Sequence, residues 1–344
     1  MEAKPRRTRA YRCATLDSSH WDSFEPRTGD IVISTSMKAG TTWMQRICAA
    51  LIFGGPELDR PMDEISPWLD QRMTLPARSR SLLEGQQHRR FIKSHLPLNA
   101  LRFFDQVSYI VVCRDARDVF MSMVNHHRNR RSDSIARANA RTPEELLRRR
   151  DRDGLETSPE ERQQFLTMQP WEGVDVPVLA DADVHEYWRL WLSRSVYPWE
   201  HDGYPYWSHF THLASWWPWR HLPNILFVHY DDLLADTDGQ MRRLAEWLGI
   251  PVDEKIWPAQ VRAVSFQEMK REFSRTAPLA TNPRAWQNAE NFFHKGQSGQ
   301  WRDVLGEKEL ALYDKAADRV LSPTARRWME RGSLASADPR QLDD

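Results

Sequence analysis

The loop spanning residues 34–43 has the composition of a binding site for a phosphate group. Gly40 lets the backbone approach a ligand closely, Thr41 and Thr42 add hydroxyl groups, and a following helix would present unpaired amides to an anion. Lys38 adds a full positive charge. This lysine precedes the glycine, whereas the lysine of a Walker loop follows the last glycine. The loop therefore predicts a phosphate cradle that is not of the Walker form, with an ordinary strand-to-helix turn as the alternative.

A second segment carries a possible base. Lys93 and His95 are two residues apart, so they lie on the same side of the chain if a strand continues through them. The ordinary pKa of histidine lies near neutral pH, which allows His95 to remove the proton of an acceptor hydroxyl. The alternative is a structural histidine, and only the surrounding residues decide between the two.

Two further segments add groups that could hold an anion. Arg114 follows an apolar run, and the carboxyl end of a buried strand is where α/β sheets bind their ligands. Ser122 lies eight residues later, about two helical turns away, so both residues could hold one phosphate group. The basic, glycine-containing segment 292–301 could close over a polyanion.

Strands and helices alternate along the chain and would position these segments. Four apolar, β-branched runs predict buried strands: Asp30–Ser34, Arg90–Ser94, Val107–Cys113 and Asn224–His229. Helical spacing follows three of them, at Thr42–Gly54, Asp115–His127 and Gln240–Leu248. This order predicts an α/β fold in three layers, a parallel sheet covered by helices, with a P-loop-like nucleotide-binding core.

In this order, the four segments resemble the sulfotransferase family that uses 3'-phosphoadenosine 5'-phosphosulfate (PAPS), and most closely a divergent, bacterial-like member of its cytosolic branch. The resemblance covers residues 24–127 and 221–310. It implies that Lys38 meets the bridging oxygen of PAPS and that Trp43 stacks on adenine. It also implies that His95 is the catalytic base and that Lys93 is a partner of the sulfonate in transfer.

The resemblance also implies which residues bind the donor. They are Lys38, Ala39, Gly40, Thr41, Thr42 and Trp43 in the first loop, Arg114 and Ser122 at the 3'-phosphate, Tyr230 and Phe266 at adenine, and His294, Lys295 and Gly296 in the closing loop. Two residues depart from the family pattern. His294 replaces an arginine, which implies weaker and more pH-dependent nucleotide binding, and Gln300 replaces an aspartate.

Composition argues against several classes of partner. The chain has 344 residues with 48 basic and 48 acidic side chains, so no overall field attracts nucleic acid or a membrane surface. The basic segment 1–12 has no apolar stretch behind it, and no run has the length of a membrane span. The three cysteines are far apart, which fits neither disulfides nor a metal site. We expect a soluble, cytoplasmic protein without a metal.

The domain prediction is a single sulfotransferase domain over residues 1–344. Its core would span residues 24–127 and 221–330, with an insertion at 128–220 and flexible ends at 1–12 and 334–344. The arginine-rich segment 128–170 predicts an exposed helical or partly disordered region. Segment 184–219 is rich in aromatic residues, which predict both core packing and, with the residues after Leu96, the wall of an acceptor pocket.

The predicted reaction is transfer of sulfonate from PAPS to a hydroxyl or amine of a small, aromatic or apolar acceptor, leaving 3',5'-adenosine bisphosphate (PAP). One alternative is a small-molecule kinase that uses ATP, although the Walker order and an obvious magnesium-binding aspartate are missing. A second alternative is a non-catalytic nucleotide- or protein-binding module, which would not need His95 or Lys93. The family's dimer pattern is not found after Trp301, and the oligomeric state stays open.

Overall fold

A four-stranded parallel sheet forms the centre of the protein in a computed structural model, which describes residues 4–152, 154–171, 173–276, 285–288, 291 and 296–343. The strands are β1 (Ile31–Thr35), β2 (Phe91–Ser94), β3 (Ser108–Cys113) and β4 (Ile225–His229). Their order across the sheet is β2-β1-β3-β4, and all neighbours are parallel. The predicted parallel sheet is confirmed.

Helices connect and cover the strands. The α-helices are α1 (Thr41–Phe53), α2 (Met62–Ile65), α3 (Pro76–Gly85), α4 (Ala116–Asn129), α5 (Ser132–Ala138), α6 (Pro143–Arg152), α7 (Pro159–Leu166), α8 (Val184–Trp191), α9 (His209–Trp216), α10 (Tyr230–Ala235), α11 (Thr237–Leu248), α12 (Trp257–Ala263), α13 (Phe266–Thr276), α14 (Glu307–Asp318) and α15 (Pro323–Arg331). α1 and α11 end at Gly54 and Gly249, which adopt the left-handed conformation that favours glycine at this position.

Alternating side chains of the strands supply two separate cores. Ile31 and Ile33 of β1 belong to the cluster that includes α1 and α11, whereas Val32 between them belongs to the cluster on the opposite face. This alternation is the pleat of a strand that is buried on both faces. The predicted three-layer arrangement is therefore confirmed.

The first predicted residue of two strands has another role. Asp30 and Arg90 directly precede β1 and β2, and they form an ion pair in which each side chain is almost completely buried. Arg90 Nε donates to Asp30 Oδ1 over 2.8 Å. Each strand begins one residue later than predicted, because these charged residues pair with each other at the amino end of the sheet.

Segment 128–170 is helical, which is one of the two structures that its sequence predicts, but part of it is buried rather than exposed. It contains α5, α6 and α7, and Leu146, Leu147 and Phe165 pack with Leu75 in a small core. The aromatic segment 184–219 is core, as predicted: Trp188, Trp191 and Trp216 are nearly inaccessible to solvent. The high arginine content of segment 128–170 does not reveal the few apolar residues that anchor its helices.

Some residues near the two ends have fixed contacts. Tyr11 is buried and donates a hydrogen bond of 2.7 Å to Glu200, while Arg220 donates to the carbonyl of Leu342. Flexibility of segments 1–12 and 334–344 stays a prediction for the residues without such contacts. Over the part of the chain that the structure describes, no helix is both long and apolar enough to cross a lipid bilayer.

Candidate active site

The predicted phosphate loop connects β1 to α1 at the carboxyl edge of the sheet. Gly40 lies directly before α1 with φ +113°, and a Cβ atom there would come within 2.9 Å of the Tyr230 ring. Lys38 also has a positive φ of 65°. This backbone brings Lys38, Gly40, Thr41, Thr42 and Trp43 to the lining of one cavity. Ala39 differs, because it is fully buried in the core and is not part of that lining.

His95 follows β2 and is held in one orientation by the neighbouring strand. Its Nδ1 lies 2.8 Å from the carbonyl oxygen of Thr35, the last residue of β1. A carbonyl only accepts, so Nδ1 carries the proton and Nε2 of the neutral ring has a free lone pair. Burial lowers the pKa of His95 well below its usual range, and Lys93 lowers it further. His95 is therefore neutral at physiological pH and has the protonation state of a general base.

Asp70 anchors the backbone at His95, although no pattern in the sequence singles it out. This fully buried carboxylate accepts a hydrogen bond of 3.0 Å from the backbone amide of His95. It also accepts from the indole Nε1 atoms of Trp21 and Trp68, over 3.2 and 2.8 Å. Three donors compensate the burial of one carboxylate and tie three segments together. The pairing joins residues far apart in sequence, so no local pattern could reveal it.

Two lysines place positive charge in the same cavity as His95. Burial, with the charges of Lys93 and Arg114, lowers the pKa of Lys38 to about 8. Burial also lowers the pKa of Lys93 to about 8, against the opposite influence of Asp70 and Asp63. The ammonium group of Lys93 lies 4.2 Å from the centre of the Trp68 ring, a cation–π contact. Both lysines are mostly charged at pH 7 and suit a strongly anionic ligand.

A second group of predicted residues lies next to the loop. The guanidinium of Arg114 lies 4.0 Å from the centre of the Tyr230 ring, and that ring packs edge-on against Trp43 with centres 5.2 Å apart. Ser122, on α4, lines the same cavity. Arg114 Nε and Trp43 Nε1 are buried without a hydrogen-bond partner among the described residues. Such orphaned donors fit a site whose ligand supplies acceptor atoms.

The segment before Trp301 approaches the cavity from the opposite side. Gly296 and Phe266 both line it, and a Cβ atom at Gly296 would collide with the Phe266 ring. Gly299 donates its amide to both carboxylate oxygens of Asp118 on α4, each over 2.9 Å. The closing segment is thereby attached next to Ser122. His294 and Lys295, also predicted to bind the donor, lie outside the described residues.

The cavity extends well beyond these residues and has a volume of about 820 Å³. The part beyond His95 and Lys93 is here called the distal lobe. Its walls come from segments 62–82 and 125–165, with Trp286; these include Met62, Asp63, Trp68, Met73, Leu75, Leu82, Asn125, His126, Asn129, Arg137, Arg150, Leu155, Glu161 and Phe165.

The sequence predicts a different source for the wall of an acceptor pocket. Neither segment 184–219 nor the residues directly after Leu96 line the cavity. A sequence signal did exist on α4, where Ser122, Asn125, His126 and Asn129 recur at helical spacing and share one face.

The aromatic segment contributes to the site in a different way. His212 Nε2 lies 2.9 Å from Ser34 Oγ, and His209 Nε2 lies 3.0 Å from the carbonyl oxygen of Arg114. Both histidines are buried on α9, and burial lowers the pKa of His209 to about 4 and that of His212 to about 3. Both histidines are therefore neutral, and their hydrogen bonds hold the carboxyl ends of β1 and β3 in place.

Metal ligation has no support from side-chain clusters in the described ranges. No group of three or more histidine, cysteine, aspartate or glutamate side chains is arranged to hold an ion there. Cys13, Cys48 and Cys113 are all buried and unbridged. Lys38, Lys93 and Arg114 line the cavity near the phosphate loop, together with the carboxylates of Asp63 and Asp118.

Comparison with known proteins matches the chain to the family described as "Sulfotransferase domain", over residues 28–325. A glycolipid sulfotransferase of Mycobacterium bovis is 32% identical over 334 residues, covering 94% of each chain. Sulfotransferase 1E1 of Cavia porcellus is 25% identical, covering 86% of this chain and 85% of its own. These similarities extend over nearly the whole length of both proteins.

A solved structure with the same fold is mouse sulfotransferase SULT7A1 complexed with PAP. It has a TM-score of 0.59 and 20% identity, covering 90% of this chain and 91% of that one. Retinol dehydratase in complex with androsterone and inactive cofactor PAP has a TM-score of 0.57 and 20% identity, covering 89% and 84%. At this identity the likeness concerns the arrangement of the sheet and its helices.

Proposed function

The chain belongs to the sulfotransferase family, and on this premise we propose that it transfers the sulfonate group of PAPS to a hydroxyl of an amphipathic small molecule. The observation that carries the proposal is the convergence of Lys38, Lys93 and His95 on one cavity beside the phosphate loop. Simple nucleotide binding does not need a neutral histidine with a free lone pair. Transfer of a sulfonate to a hydroxyl does, because the hydroxyl must lose its proton.

The donor is proposed to lie along the phosphate loop. Lys38 and the amides at the start of α1 would hold the 5'-phosphosulfate, and Arg114 with Ser122 would hold the 3'-phosphate. Trp43, Tyr230 and Phe266 would enclose adenine. The orphaned nitrogen atoms of Arg114 and Trp43 support this placement, since a nucleotide supplies acceptors for both. The PAP complexes of two proteins with the same fold favour the same donor.

The chemistry assigned to these residues follows from charge and position. His95 Nε2 would accept the proton of the acceptor hydroxyl as its oxygen attacks sulfur. The bond between sulfur and the bridging oxygen then breaks, and PAP leaves with the electron pair. Lys38 would stabilise the negative charge that develops on that oxygen, and Lys93 would neutralise the sulfonate. Such transfer depends on positioning and charge more than on covalent help from the protein.

The acceptor is proposed to occupy the distal lobe. Met62, Met73, Leu75 and Leu82 offer apolar surface there, and polar side chains such as Asp63 and Asn129 line the same lobe. A molecule with a polar head and an apolar tail suits this distribution better than a purely apolar one. The glycolipid sulfotransferases among the relatives favour the same class of acceptor. We therefore propose an amphipathic acceptor in place of the aromatic or apolar acceptor that the sequence predicts.

The first test is a thermal-shift titration with PAP against ATP plus magnesium. A ligand that binds the native state raises the melting temperature, so we expect a shift with PAP that exceeds the shift with ATP. An assay with radiolabelled PAPS and an alkyl glycoside acceptor then measures transfer directly. A shift with ATP and magnesium alone, together with no transfer from PAPS, would move the assignment to a kinase.

A further inference from the structure

The distal lobe contains buried polar atoms that have no hydrogen-bond partner in the part of the chain that the structure describes. Both ring nitrogens of His126, the Nδ2 atom of Asn129 and the Oδ1 atom of Asp63 are buried and have no hydrogen-bond partner among the described residues. All three side chains line the cavity. Buried polar atoms are paired in the great majority of native structures, so an unpaired group of this size needs an explanation.

The three residues stand on two different elements. His126 and Asn129 lie three positions apart on the last turn of α4, on the same face as Ser122. Asp63 lies on α2, which leads toward the segment that pairs with β2 at Lys93. The charge of Lys93 acts on both Asp63 and His126, and the charge of Lys38 acts on His126. Asp63 and His126 therefore lie within reach of the charge of Lys93, the residue that is assigned to the sulfonate.

The chemistry of these atoms defines what would satisfy them. Asp63 Oδ1 accepts hydrogen bonds, Asn129 Nδ2 donates them, and a neutral imidazole offers one donor and one acceptor. Burial lowers the pKa of His126 well below its usual range, which keeps the ring neutral. Hydroxyl groups both donate and accept, so several neighbouring hydroxyls match this mixed set. A phenol or a simple alcohol offers only the hydroxyl that reacts.

We propose that Asp63, His126 and Asn129 form a recognition site for the hydroxyl groups that neighbour the sulfated one, and thus select acceptors with a carbohydrate head. This inference rests on the proposed function and adds to it the residues that determine acceptor specificity. An acceptor that displaces solvent from the lobe must replace the hydrogen bonds it removes. An acceptor without neighbouring hydroxyls would leave the buried atoms unpaired, and each such loss costs about tenfold in affinity.

The test compares two acceptors that share the reacting hydroxyl and the tail. Octyl glucoside carries the full sugar, whereas its trideoxy analogue keeps only the primary hydroxyl on the ring. We expect the wild-type kcat/KM to favour the glucoside by roughly 10–100-fold, from one or two paired groups. His126→Phe, Asn129→Leu and Asp63→Leu should each reduce this preference by up to about tenfold, through the glucoside and not the analogue.

Two controls separate recognition from a general effect on folding. Arg128→Ala changes an exposed residue of the same turn of α4, and Asp59→Leu makes the Asp63 substitution at an exposed position outside the cavity. Both controls should keep the wild-type preference. PAP should raise the melting temperature of every variant as much as that of wild type. This result would show that the part of the cavity that binds the donor is folded.

The outcomes distinguish this inference from the function on which it rests. If wild type transfers sulfonate but treats the two acceptors alike, or if the three variants lower both acceptors equally, the recognition site is wrong and sulfonate transfer stands. Transfer to nitrophenol without transfer to the glucoside would also show that the recognition site is wrong while sulfonate transfer stands. If no acceptor is sulfated and PAP does not bind, the proposed function itself is wrong and the inference fails with it.

Discussion

The two halves of the cavity are built by different means. The donor half lies at the ends of parallel strands, where backbone hydrogen bonds fix each position; the carbonyl of Thr35 alone sets the tautomer of His95. The distal lobe is built from the sides of helices in two connecting segments, and the side chains of Asp63, His126 and Asn129 in it carry atoms without a hydrogen-bond partner among the described residues. We infer that the donor half is set before any ligand binds, while the distal lobe is completed by its acceptor.

Removing the base should have the largest effect and should separate the two halves most clearly. His95→Ala should lower kcat by roughly 10²–10⁴-fold, because general-base catalysis is lost. PAP affinity should stay within about twofold of wild type, since the donor contacts are assigned to other residues. Single-turnover transfer and calorimetric titration measure the two quantities. Equal losses of rate and of PAP affinity would remove His95 from the role of base.

The 3'-phosphate assignment distinguishes regions within the donor half. Arg114→Ala should weaken PAP binding by roughly 10–100-fold, the usual loss for hydrogen bonds to a charged group. Binding of adenosine 5'-phosphosulfate, which lacks the 3'-phosphate, should change far less. Competition titrations with both nucleotides give the two losses. Comparable losses would place Arg114 elsewhere on the donor.

Lys38 and Lys93 should make the use of the donor depend on pH. We assign no such dependence to the distal lobe. Lys38 and Lys93 in the free enzyme have pKa values of about 8, below the ordinary value for lysine, so they lose charge as the pH rises through 8. The value of kcat/KM for PAPS should therefore be highest near neutral pH and fall by up to about tenfold per lysine for each further pH unit.

A matched variant tests the cause of this fall. Lys38→Arg keeps its charge at high pH, so its profile should lose part of the decline above pH 8, although arginine holds the group in a different geometry. The profile of kcat/KM for PAPS at fixed acceptor is the measurement. A wild-type profile that is flat between pH 7 and pH 9.5, the interval over which two lysines with a pKa of about 8 discharge, would contradict the assignment.

The smallest effect should come from the apolar wall of the distal lobe. Leu82→Ala on α3 should raise the KM of an octyl acceptor about tenfold, the lower end of the value of one methylene group in an apolar pocket, because Leu82 is only partly buried. The KM of PAPS should be unchanged. Leu166→Ala makes the same substitution at an exposed position that does not line the cavity, and it should alter neither constant. A matching rise in both KM values would show that the halves are coupled.

The donor half could be largely predicted from the sequence because its signals are local. A buried strand, a glycine loop and a helix start follow one another within a few residues, and the strand ends then bring Lys38, His95 and Arg114 together. The fold class followed from the alternation of strands and helices.

The distal lobe could not be predicted, because its residues meet only through long-range packing. Asp70 bonds to His95, which is 25 positions away, and neither residue shares a local pattern with the other. Segment 128–170 was expected to be exposed because its many arginines outweigh three apolar anchors in any count of composition. His126 and Asn129 repeat with Ser122 at helical spacing, but the same spacing occurs on ordinary helices.

The three hydrogen bonds of Asp70 restrict the positions at which mutations can change the acceptor range of this enzyme. Asp70 joins the backbone of the base to Trp68, which lines the cavity, and to Trp21 in the amino-terminal region. A mutant library that varied Asp70 or Trp68 would disturb catalysis along with selectivity. Substitutions at Met62, Met73 and Leu82 would change the shape of the distal lobe without breaking the hydrogen bonds of Asp70. Directed evolution of the acceptor range should therefore begin at these three positions.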